Sequence, residues 1–231
     1  MPRQAQDDLA TIFLKHGAIM QVLRTNQVGG WQPNITPIAP TILLGQIKIP
    51  FTDISPLSII LNRVLASLAV PTLQDWLVIV VMLIIYSIIA LPYGWKIGFL
   101  HIQIWSATWI DKCLLILRCL FLPAIVEELF FRVFLLPHPS EITNWFRWGF
   151  WAIVSLLLFV LYHPLNAKTF FKAGISTFDD PVFLVLAAFL GIICTAAYTL
   201  TGSLFVIVLI HWVVVVVWLI VFGGIRKLDN N

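Results

Sequence analysis

Long apolar runs constrain this chain more than anything else in it. The stretches 73–91, 182–200 and 204–222 are each almost free of charge and about as long as the ~20 residues needed to cross a bilayer's hydrocarbon. Two further runs, 112–136 and 145–163, have the same character with a few polar interruptions. Only 11% of the 231 residues are charged and 60% are apolar, whereas a soluble domain is roughly a quarter charged. In lipid every backbone polar group must be satisfied within the protein, and helix-length runs do this by folding as helices. The expected fold is therefore all-α: a polytopic transmembrane bundle of five spans, or six if 54–71 inserts. That last stretch carries Asn62 and Arg63 at its middle, where an unpaired Arg costs ~2.5 kcal/mol or more. An interfacial or short tilted helix suits it better.

Punctuation and charge divide the rest. Residues 1–72 read as an N-terminal extension, partly polar or interfacial, with a short helix near 5–24 and a Pro- and Gly-rich segment from 29 to 50. Asp7, Asp8 and Lys15 interrupt the first twenty residues, so no signal-peptide apolar core is expected there. The span-bearing domain is expected over 73–223, followed by a polar tail, 224–231. The net charge of +3 is not gathered into a basic run, which argues against nucleic acid as a partner and leaves the bilayer itself as the main one. Cys113, Cys119 and Cys194 lack metal or disulfide spacing and read as packing residues.

Ionisable residues within spans are expensive and suggest a site by default. Here Glu127, Glu128 and Arg132 fall late in one span, His163 closes the next, and His211 lies within the last. Glu128 and Arg132, four apart, share a helix face with the carboxylate on the favourable N-terminal side. Glu127 lies about 100° round from Glu128 and is left to face another neighbour. A desolvated, unneutralised carboxylate is suited to general-base work, and imidazoles from other helices can orient water or donate to a developing oxyanion. Paired charges can also do no more than lock helices together, and His163, beside Pro164 at a span end, also suits an interface. The chain has no HExxH helix, no rhomboid-type Gly-x-Ser-Gly and no GxGD aspartate. A glutamate–histidine site remains.

EELFFR at 127–132 matches EExxxR, FVLYH at 159–163 matches FxxxH, and LIHW supplies His211 on the last span. In this order the three resemble the CPBP family of intramembrane proteases. That family comprises the type II CAAX prenyl endopeptidases, the Abi and lysostaphin-resistance-like proteins and bacteriocin-processing relatives. PAIVEELFFR and TGSLFVIVLIHW look most like its bacterial and cyanobacterial branch. The resemblance covers about 75–222. It implies a membrane endopeptidase, metalloprotease-like or glutamate-type, acting on a peptide or membrane protein in the cell membrane, or the thylakoid if the source is cyanobacterial. Glu127 would activate water with His163 assisting, Glu128 and Arg132 would support the site and orient substrate, and His211 would hold the oxyanion. Where the family often has HxxxN, this chain has Val215, so the resemblance implies either weaker activity or a substitute donor, such as Tyr198 or backbone near His211. A divalent metal such as zinc could use Glu127, His163 and His211, although a metal-free glutamate mechanism fits the family somewhat better. Two other readings remain: a catalytically silent interaction or immunity-type protein of the same fold, and a bis-histidine haem protein using His163 and His211.

Overall fold

The computed structural model divides the chain into two units, Met1–Pro50 and Phe51–Asn231. It describes residues 55–169 and 174–229, all in the second unit. The short helix expected near 5–24 and the Pro/Gly-rich segment 29–50 lie outside the described residues. The second unit is a bundle of helices with no named strand among its described residues. Its elements are α1 (Pro56–Ser67), α2 (Leu73–Lys96), α3 (Trp109–Cys119), α4 (Trp145–Thr169), α5 (Ile175–Phe178), α6 (Pro181–Thr201), α7 (Leu204–Val221) and α8 (Gly224–Asp229). Four of these, α2, α4, α6 and α7, are long and apolar enough to cross a membrane.

The expected run at 112–136 takes a different form. After Cys119 the helix continues without a break but widens into π winding over Leu120–Glu127 and again over Leu129–Phe134. Pro123 sits inside the first wide segment. Proline has no N–H and its ring clashes with the carbonyl four residues back, and a widened turn is one way a helix absorbs that defect. The two glutamates therefore sit on an irregular rod, a feature frequent at functional sites.

Local chemistry sets the ends. Thr72 and Asp75 form a reciprocal capping box at the start of α2, satisfying two orphan donors. Asp180 caps α6, with Pro181 at its first position. Gly202 ends α6 in the left-handed conformation at φ 67°, so the TGS turn is the hinge between α6 and α7. Between 54 and 71 the chain forms only the 12-residue α1. At 1.5 Å per residue it is about 18 Å long, short of the ~30 Å hydrocarbon. Its Arg63 makes a two-pronged pair with Glu141 and donates to the Phe134 carbonyl.

Successive passes alternate in direction. At one end, the start of α2 meets the start of α7 through Trp76 and Phe205, and the end of the π rod meets α1. At the other, the 97–105 connection docks on the end of α7, with Gln103 and Trp105 amides donating to Val221 and Ile220. There Thr177 of α5 also donates to the Lys227 carbonyl of α8. The outside of the bundle is apolar: Leu77, Val80, Val81, Ile84 and Ile88 of α2 are all at least half exposed. Such a face suits lipid rather than water. The inside holds α6 and α7, whose Cys194, Ala197, Tyr198, Val206, Ile207 and Ile210 are fully enclosed.

Candidate active site

Five ionisable residues from three passes meet in the interior. Glu128 and Arg132 are fully buried, and Glu127 and His211 nearly so. Arg132 Nη1 donates to Glu128 Oε1 at 3.1 Å, the i,i+4 pair that the spacing implies. The same carboxylate oxygen lies 2.7 Å from His211 Nδ1. An ionised carboxylate only accepts, so Nδ1 carries the proton of that contact. His211 Nε2 then faces the other glutamate, 3.9 Å from Glu127 Oε2, which is too long for a hydrogen bond. Glu127 Oε2 and Glu128 Oε2 are buried without a protein partner among the described residues.

Two residues that the sequence reading left without a role hold Arg132 in place. Its Nη2 donates to the Gly191 carbonyl at 3.2 Å, and its guanidinium lies 4.3 Å over the Phe159 ring. A Cβ at Gly191 would stand 2.7 Å from Leu156 Cδ1 and 3.0 Å from Arg132 Nη2, so only glycine lets α6 come this close. A glycine in mid-span was the available signal. Phe159, the first residue of FxxxH, also touches both imidazoles, with centroids 4.9 Å from His163 and 6.0 Å from His211. Its carbonyl lies 2.8 Å from His163 Nδ1.

Glu127, His163 and His211 all line one cavity of about 760 Å³. Its wall is otherwise mainly apolar, and Val215 is part of it. Position 215 therefore faces the site with a side chain that has no donor. Tyr198 is elsewhere: it is not on this wall, and its ring packs against His138 at 6.1 Å. The expectation that it replaces an Asn at 215 is thus corrected, because it belongs to the opposite end of α6. Tyr162, which the sequence reading passed over, is on the wall beside His163.

The candidate metal ligands do not form a coordination sphere. Among the described residues no three His, Cys, Asp or Glu side chains are grouped to hold an ion. His211 is turned instead onto the two carboxylates. That commitment also argues against haem ligation by His163 and His211, since His211 Nδ1 is tied to Glu128 and Nε2 faces Glu127. The three cysteines are free thiols.

No curated protein and no solved structure matches the chain. A family model does: residues 108–217 match the type II CAAX prenyl endopeptidase Rce1-like model. That segment contains Glu127, Glu128, Arg132, His163 and His211, together with most of α6 and α7. The long apolar helices and this match make the molecule a multi-pass membrane protein. Through residues 108–217 the chain is similar to the Rce1-like family of type II CAAX prenyl endopeptidases.

Proposed function

We propose that the protein is an intramembrane endopeptidase that hydrolyses a peptide bond with water activated by Glu127. The observation that best supports this reading is the division of labour between adjacent carboxylates. Glu128 is engaged by both Arg132 and His211 and is not on the cavity wall, whereas Glu127 makes no hydrogen bond through its inner oxygen and stands on the wall of the mostly apolar cavity. A carboxylate without a protein partner in such surroundings is the better base.

The residues then have separate tasks. Glu127 takes a proton from water as its oxygen adds to the substrate carbonyl carbon. His163 has Nδ1 fixed by the Phe159 carbonyl, which can only accept, so its neutral ring offers Nε2 as an acceptor. It orients the water and relays a proton to the departing amine. Glu128 fixes the tautomer and angle of His211, as a buried carboxylate does for a catalytic imidazole. Arg132 neutralises Glu128 and ties it to α6. No step is routed through a metal, because the grouping of these side chains does not fit one.

The test uses purified protein in lipid vesicles and an internally quenched peptide with an apolar centre. Glu127→Ala is expected to abolish cleavage while the protein remains inserted and folded. Undiminished cleavage would remove Glu127 from the mechanism. Val215, apolar on the cavity wall, favours one alternative, a silent protein of the same fold that binds a membrane partner. A Glu127→Gln, His211→Ala protein that still performed the cellular task would establish it.

A further inference from the structure

A tetrahedral intermediate puts negative charge on the former carbonyl oxygen, and preorganised donors there commonly supply the largest part of catalysis. Here the Nδ1–H of each imidazole is already committed. His163 spends its N–H on the Phe159 carbonyl and His211 spends its own on Glu128. Val215 contributes nothing, and the Arg132 guanidinium is fully buried against Glu128, Gly191 and Phe159.

We propose that the hydroxyl of Tyr162 is an oxyanion donor of this site, an inference that rests on the endopeptidase reading above. Tyr162 shares the cavity wall with Glu127, His163 and His211. Its ring is held from two sides, 5.6 Å from Phe131 on the rod that carries the glutamates and 5.9 Å from His163. A ring braced in this way loses little freedom when its O–H engages substrate. The hydroxyl has no hydrogen-bond partner among the described residues, so it is available to one. Asn166, the next polar group of α4 on the wall, is a turn farther from the Arg132 end of the site.

The chemistry balances. The water oxygen bonds to the carbonyl carbon, its proton passes to Glu127, and the carbonyl π pair moves to oxygen, where the Tyr162 O–H donates. The C=O then re-forms, the C–N bond breaks, and the proton held by Glu127 passes by way of His163 to the leaving nitrogen. Tyr162 keeps its proton throughout.

Three proteins in vesicles are compared on the same quenched peptide, with Glu127→Ala as the baseline. Tyr162→Phe is expected to lower kcat about 10²-fold with KM nearly unchanged, the size of effect for one lost oxyanion donor. Val215→Asn placed in the Tyr162→Phe protein sets an amide on the same wall and is expected to restore at least tenfold. Affinity for a peptide phosphonate, which carries the tetrahedral oxygens, should fall in parallel, while affinity for the corresponding reduced-amide peptide should not. If Tyr162→Phe stays within twofold of the parent kcat, or loses both ligands equally, the donor role is overturned. If the parent shows no cleavage above the Glu127→Ala baseline, the endopeptidase reading itself falls, and this inference with it.

Discussion

Glu127 and Glu128 are neighbours in sequence with the same chemistry, yet they should respond differently to removal. Glu128→Ala strands Arg132, a fully buried cation, and breaking a buried pair in this way costs about 3–5 kcal/mol. Glu127→Ala removes a group with no hydrogen bond to its inner oxygen, so its stability cost is small. Thermal unfolding of the detergent-solubilised proteins should show a large drop for Glu128→Ala and little change for Glu127→Ala, with cleavage lost in both. Similar melting of the two would contradict this division. The spacing of EExxxR was enough to read the Glu128–Arg132 pair, whereas Glu127, expected to face another neighbour, shares His211 with Glu128. The bond from His211 to Glu128 was not legible. Spacing within one helix carries no information on which of two adjacent carboxylates an imidazole from another helix meets.

At the scale of elements, α6 brings no charged side chain to the site but fixes its depth through one backbone carbonyl. Gly191→Ala drives a methyl into Leu156 and Arg132, and overpacking of this kind typically costs 1–3 kcal/mol. It should also lower kcat, on the order of tenfold, by shifting Arg132 and with it Glu128 and His211. Gly149→Ala is the control, since a Cβ there meets nothing within 4 Å, and it should leave both melting and cleavage unchanged. Equal effects of the two substitutions would mean that α6 can shift without disturbing the site. The long helices were legible from apolar run length, which bilayer thickness makes a strong signal. The π winding around Pro123 was not, because hydrophobic periodicity over eight residues does not separate a wide turn from an ordinary one.

Across the whole molecule, the distribution of cations gives the bundle a direction. Among the described residues Lys96, Lys112, Arg118, Lys168, Arg226 and Lys227 lie toward the end where α7 finishes, against Arg63 and Arg147 at the other. Basic residues near span ends favour the cytoplasmic side, so the end bearing α8 should face the cytoplasm. Single cysteines at 227 and 147, in a chain whose native cysteines are replaced by serine, would report this through an impermeant maleimide. Position 227 should label only in inside-out vesicles and position 147 only in right-side-out ones; the reverse pattern would invert the topology. The cavity is lined near that same end by Phe99, Trp218 and Phe222, which would bring substrate from the cytoplasmic leaflet. The central claim is that Glu127, in a cavity shared with imidazoles from two other passes, cuts peptide bonds. Comparative peptidomics of membranes carrying the parent or Glu127→Ala protein tests it most directly. A set of new peptide termini present with the parent and absent with Glu127→Ala is the predicted result; indistinguishable sets of termini would contradict it.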